Sequence, residues 1–283
     1  MIPSFFALGA AAFYGAADFL GGIATRRATT VAAVLTTQGA GLLMLLLFTP
    51  LMLDRTLSPR DAGFAALAGL TGSIGVALLY KALAIGPMSV VAPVTAVCAV
   101  IVPLVVGLLQ GEQLATLAAL GVAVAIVAVG LLGMTPAAPG STPQADVARG
   151  VRVALASGVA VGGFLVTLGQ TSAAAGLWPL AVSRLVSVTI FAAMALGLRQ
   201  APIVPRDAMA PAIACGGLDM VANALYLIAV REGQLSLIAT LASLYPASTV
   251  LLARVVLGER LGRWQQVGVA SAVAAIVLIV ANS

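Results

Sequence analysis

The sequence predicts an all-α membrane protein, with ten transmembrane helices arranged as two inverted five-helix repeats. Three observations predict it. The 283 residues are 61% hydrophobic and only 8% charged. The apolar residues run in blocks of around twenty, the length that crosses a hydrocarbon core of roughly 30 Å. One stretch rich in Pro, Gly, Ser and Thr, residues 135–144, splits the chain almost in half and leaves an odd number of apolar blocks on each side.

The low charge content excludes a soluble domain. Soluble proteins carry about 25% charged residues, because a water-facing surface needs polar groups. The blocks are helices, because an open strand in lipid leaves backbone groups unpaired. Their continuous, non-alternating character excludes a barrel. The polar breaks place the spans at 5–25, 31–53, 61–84, 88–109 and 114–134 in the first half. In the second half they fall at 150–174, 178–198, 208–230, 234–257 and 262–281. Residues 1–134 then form one repeat, 135–149 a linker, and 150–283 the second repeat.

The net charge of +5 rests on 14 Lys and Arg that lie mostly in short loops. Basic loops beside apolar spans touch anionic head groups and fix orientation. The expected partners are therefore membrane lipid and a small-molecule substrate, with no nucleic acid and a monomer as the plausible state. Ten of the 14 flank one face, including Arg26, Arg27, Arg199, Arg206, Arg260 and Arg263. The other face has Arg55, Arg60 and Arg231. The positive-inside rule places both termini outside the cytoplasm. Cys98 and Cys215 fall inside apolar spans and read as small core residues, not as a disulfide. With no histidine in the chain, the commonest metal ligand and general base are missing, so no metal or cofactor is expected and an enzyme is disfavoured. No basic n-region precedes the first span, so no cleavable signal peptide is expected.

The repeat is visible residue by residue. A shift of 147 positions brings residues 77–128 onto 224–275 with 15 of 52 identical. The informative matches are Gly86 with Gly233, Ser89 with Ser236, Gly111 with Gly258, Glu112 with Glu259, and Gly121 with Gly268. Five spans per half put the second repeat into the membrane from the opposite face. That architecture recurs in secondary transporters, with the substrate between the repeats near mid-membrane.

The pattern Ala82-x3-Gly86-x2-Ser89, then Gly111-Glu112-x-Leu114 and Gly121, recurs as Ala229-x3-Gly233-x2-Ser236, Gly258-Glu259-x-Leu261 and Gly268. It resembles the paired EamA domains of the drug/metabolite transporter superfamily, over nearly the whole chain. The resemblance implies a bacterial inner-membrane transporter. Members of that superfamily export amino acids, carry drugs or nucleotide sugars, or exchange sugar phosphates. Size and span count are also similar to YddG-type exporters of aromatic amino acids. The family's Pro before the Gly-Glu motif stands at Pro246, whereas its first-half counterpart is Ala99, flanked by Pro93 and Pro103.

Candidate site residues follow from cost. Pro103 and Pro246 lie well inside equivalent spans, and each frees a carbonyl one turn back. Lipid tolerates that only where another group or water meets the carbonyl. Paired helix interruptions are a sequence pointer to a transporter site, with Tyr245 as a wall residue; a packing kink is the plainer reading. Asp18, Lys81, Arg184 and Asp219 are charges within or just inside spans, so each is expected to face the interior and find a partner. Depth pairs Asp18 with Lys81, and Arg184 with Asp219, whose depths differ by only ~5 Å at 1.5 Å per residue. Asn223 lies one turn from Asp219 on the same face. These residues read either as structural ion pairs or as a cavity that holds both ends of a zwitterion. Asp18 has a further reading as a proton carrier, since a first-helix carboxylate serves that role in small multidrug members of the superfamily. Tyr14, Phe19, Tyr80 and Tyr226 are candidates to stack on an aromatic substrate or to pack. Glu112 and Glu259 read as carboxylates at helix starts, favoured by the positive helix end.

Overall fold

The computed structural model describes residues 2–25, 27–47, 55–85, 88–132, 144–199, 203–257 and 262–281, and among these there is no strand. The helices are α1 (Ile2–Thr25), α2 (Thr30–Leu47), α3 (Pro59–Ile85), α4 (Met88–Leu109), α5 (Thr116–Leu132), α6 (Gln144–Gly169), α7 (Trp178–Gly197), α8 (Arg206–Glu232), α9 (Leu235–Ala242), α10 (Tyr245–Leu257) and α11 (Arg263–Val280). Six are long and apolar enough to cross a membrane: α1, α2, α3, α6, α7 and α8. Shorter apolar helices cover Pro93–Leu109, Thr116–Leu131, Leu235–Thr249 and Arg263–Ile279.

The surface is that of a lipid-embedded bundle. Leu47, Leu109, Leu196 and Val255 are each about 80% exposed, while Asn223, Arg184, Ser183 and Thr95 are buried. A water-soluble globule does not present so much contiguous apolar surface. Trp264 is partly exposed beside the guanidinium of Arg263, 5.4 Å from its ring, as suits an interfacial anchor.

The repeats interlock through exchanged helices. α1 packs on α8 and on α9–α10, and α6 packs correspondingly on α3 and α4. Each first helix is thus held by the other repeat. Glycines allow the approach. A Cβ on Gly15 of α1 would meet Ser248 Cβ at 2.5 Å, and one on Gly162 of α6 would meet Val102 Cβ at 2.6 Å. Gly15 and Gly162 are themselves 147 residues apart, so the shift seen in sequence reappears as packing. Equivalent helices α2 and α7 run antiparallel: Gln38 meets Ser187 while Gly41 lies beside Arg184. That is the geometry an inverted repeat requires.

Several expectations need correction. Helix α6 starts at Gln144 but its apolar span runs Ala148–Gly169, ending five residues before the expected Ala174; a short 3₁₀ turn, Ala173–Ala175, follows. The ninth span is two helices, α9 and α10, separated at Ser243 and Leu244. Its first-half equivalent, α4, is continuous through Pro93 and Pro103. The matched interruption therefore exists in one half only. The proline nitrogen of Pro246 cannot bond back to Ala242, and the chain tightens there through three-residue bonds such as Leu244 N–H to Leu241 O at 3.2 Å. In α4 the corresponding position is Ala99, which keeps its donor. Cys98 and Cys215 are free thiols.

Candidate functional site

A cavity of about 120 Å³ lies between the repeats. The first repeat contributes Tyr14 and Asp18 from α1, Gln38 from α2, Gly69, Gly72 and Leu79 from α3, and Thr95 and Ala99 from α4. The second contributes Phe164 from α6, Ser183, Arg184 and Ser187 from α7, Asp219 and Asn223 from α8, Ser243 from the α9–α10 break, and Tyr245. Most of these positions are central in their helices, so the cavity sits at mid-depth.

One wall is a connected polar chain. Arg184 forms an ion pair with Asp219, the partner that depth matching assigns it. Asn223 donates from Nδ2 to Asp219 Oδ2 at 3.1 Å and to the Asp219 carbonyl at 2.6 Å. Tyr14 donates to Asn223 Oδ1 at 2.9 Å, which ties α1 of one repeat to α8 of the other. Serines flank Arg184 on the same helix face. Ser187 accepts from Gln38 Nε2 at 2.7 Å, and Ser183 donates to the Leu180 carbonyl at 2.9 Å. The remaining polar lining is similarly occupied: Thr95 bonds the Ala154 carbonyl and Ser73 the Gly69 carbonyl.

Two lining groups are different. Asp18 has no hydrogen-bond or ion-pair partner among the described residues. The Ser243 hydroxyl, in a residue only 3% exposed, has none either. Tyr14 and Tyr245 stand edge to face with centroids 6.4 Å apart and close the same space.

The structure gathers Tyr245, Asp219, Asn223, Arg184 and Asp18 at one cavity and leaves out Pro103, Pro246, Tyr80 and Lys81. Pro103 and Pro246 are buried in packing, although Pro246 shapes the break that presents Ser243 and Tyr245. Tyr80 is 8% exposed, with its hydroxyl close to Gly21 and Cys215, so it fills the contact of α3 with α1 and α8. Lys81 is exposed and does not pair with Asp18. It sits two residues from the lining Leu79, roughly 200° further around the helix. Phe19 is buried, and Tyr226 donates to the Leu165 carbonyl at 3.0 Å, so both pack.

The end of the bundle that carries the start of α1 is fastened between repeats. Glu112 accepts from the backbone N–H of Leu235 at 2.6 Å and of Ser236 at 3.0 Å, and also binds the Ser236 hydroxyl. It therefore caps α9 of the other repeat and not its own following helix. Gly111, with φ of 88°, makes the turn that aims it there. Glu259 lies outside the described residues. Asp61, which is 3% exposed, accepts from Ser58 and from both the backbone and hydroxyl of Ser172 in the other repeat. Arg231 donates to the Gly176 carbonyl at 2.7 Å. At the opposite end the described inter-repeat ion pair is Arg27–Asp207, at 2.6 Å and largely exposed. Among the described residues no group of three or more Cys, Asp or Glu is placed to hold a metal.

The model of the EamA-like transporter family matches residues 1–134 and again 148–281. The chain belongs to the EamA-like transporter family. The two matches begin 147 residues apart, the same shift that relates the repeats in the sequence. A solved structure described as "Crystal structure of protein" is similar to this chain with a TM-score of 0.74 and 17% identity, covering 98% of this chain and 95% of that one. At that identity the likeness speaks for the fold alone. Among curated proteins, none matches this sequence. As a member of this family the chain is a multi-pass membrane transport protein.

Tyr14, a stacking candidate from the sequence, lines the cavity, whereas Gln38, Ser187 and Ser243 line it without having been expected there. Of these, Gln38 alone has a signal that could have found it, an amide inside an apolar span.

Proposed function

We propose that this EamA-family chain is a ten-span secondary transporter that exports a small amphiphilic metabolite from the cytoplasm by alternating access. Hydrophobic and aromatic amino acids are the first substrate class. The observation that carries the proposal is the mid-depth cavity between the repeats, which combines charged side chains of both signs with aromatic and aliphatic walls. Inverted-repeat carriers rock around a site of this kind. The fastenings support the rocking motion, since Asp61–Ser172 and Glu112–Ser236 at one end and Arg27–Asp207 at the other all join one repeat to the other. Opening either end requires its own set to part. We assign the chain to a bacterial inner membrane by its resemblance to such transporters, and we put the termini on the non-cytoplasmic side from the charge count alone.

A second reading is drug/proton antiport, favoured by Asp18, a cavity carboxylate without a partner. The test of both is counterflow in proteoliposomes across amino acids, cationic drugs and sugar phosphates. Accumulation of phenylalanine, tryptophan or leucine independent of a pH gradient supports the first reading. Accumulation of cationic drugs alone, driven by that gradient, supports the second. Accumulation of sugar phosphates only would overturn both.

A further inference from the structure

The cavity wall bears three ionisable acidic or basic side chains, Asp18, Arg184 and Asp219. Arg184 and Asp219 are joined in an ion pair that Asn223 extends, with the Arg184 side chain only 8% exposed. Their charges cancel. The carboxylate of Asp18 remains, without a partner among the described residues. In a low-dielectric interior an unpaired carboxylate is costly; it is relieved by taking up a proton or by a ligand of opposite sign, and a cationic ligand competes with the proton.

We propose that the cavity is an ammonium site: it selects molecules with a primary amine on a bulky apolar body, and a carboxylate on the same body weakens binding. The proposal rests on the transport reading above and narrows its substrate class, since amines with the same apolar body bind better than the amino acids named there. An ammonium that pairs with the Asp18 carboxylate leaves the cavity neutral. A zwitterion leaves it with the same net charge as before. Its carboxylate must also displace Asp219 from Arg184 or lie unpaired beside two acidic groups. The remaining fittings suit an ammonium too. The Ser243 hydroxyl is buried at the cavity wall with a free acceptor oxygen. The rings of Tyr14 and Tyr245 line the same space, and aromatic faces attract cations. Leu79, Val161, Phe164 and Leu165 supply an apolar wall for the rest of the molecule.

The test is equilibrium binding to the full chain in nanodiscs, using three ligands that share one ring: 2-phenylethylamine, phenylalanine and 3-phenylpropanoate. The amine is expected to bind at least about tenfold more tightly than phenylalanine, and phenylpropanoate not to bind. Asp18→Asn should weaken the amine by about tenfold or more, with an unchanged melting temperature, and Asp18→Glu should recover much of the loss. Phenylalanine binding as tightly as the amine overturns the ammonium site and leaves the carrier reading standing. Full amine affinity in a folded Asp18→Asn variant also overturns it. Failure of all three ligands to bind, with no counterflow of amino acids, overturns both readings together. The ligand series alone decides the matter should either variant not fold.

Discussion

The two walls of the cavity present carboxylates in opposite conditions. On the α7–α8 wall, Asp219 is held by Arg184 and Asn223, and through Asn223 by Tyr14. On the α1 wall, Asp18 lines the same space with no such partner. A charge that is paired inside the protein contributes to holding helices together, and its removal strands its neighbour. A carboxyl group left unpaired in the interior costs stability, so its removal strands nothing. On the proposed reading, the contrast separates residues that build the cavity from a residue that meets what enters it.

The largest effect should come from breaking the paired wall. Arg184→Leu and Asp219→Leu should each cost ~3–5 kcal/mol, whereas removing both can be nearly neutral. The yield of monodisperse protein and its melting temperature should fall in both single variants and recover in the double. Additive losses would contradict direct pairing. On the unpaired wall, Asp18→Asn should leave the melting temperature unchanged or raise it, because a desolvated charge is removed without stranding a partner. A loss comparable to that of Asp219→Leu would mean that Asp18 is structural and would erase the comparison.

Two smaller effects sharpen it. Tyr14→Phe deletes the hydrogen bond to Asn223 that joins the walls, and should cost about 1 kcal/mol of stability. The ring stays, so substrate affinity should change less in Tyr14→Phe than in Tyr245→Ala. The latter should weaken bulky substrates more than small ones, because a stacking surface is lost. Pro246→Ala restores a donor at the α9–α10 break and should alter the turnover rate more than affinity, since hinge positions absorb backbone change during switching. Equal rates in liposomes at matched protein density would assign the break to packing.

Depth in the membrane was legible in the sequence, and rotation about each helix axis was not. Counting residues from loop ends placed Arg184 and Asp219 at one level, and the cost of an unpaired charge did the rest. The same count placed Asp18 beside Lys81, yet Lys81 turns outward while its neighbour Leu79 turns in. Only the packing of α3 against α6 and α7 fixes that angle. Polar residues of low cost, such as Ser243 and Ser187, carry no one-dimensional signal of which face they occupy. Pro103 shows a related limit. A proline frees a carbonyl wherever it stands, but whether the helix breaks depends on the surroundings, and α4 runs on through it. The repeat itself is legible in the Gly and Glu residues that recur 147 positions apart, and Gly15 and Gly162, at that same spacing, both allow close contact with the opposite repeat.

The central claim is that substrate sits in the cavity between the repeats. Alkylation of one cysteine placed there tests it most directly. Val76 lines the cavity and is partly exposed to it. With Cys98 and Cys215 replaced by Ser, Val76→Cys should react with a small water-soluble maleimide in proteoliposomes. Saturating phenylalanine or 2-phenylethylamine should slow that reaction by about tenfold or more, and a cysteine at the loop position Arg199 should react at an unchanged rate. The contradicting result is an unprotected cysteine at position 76 in protein that still transports either compound, which would put the substrate path elsewhere.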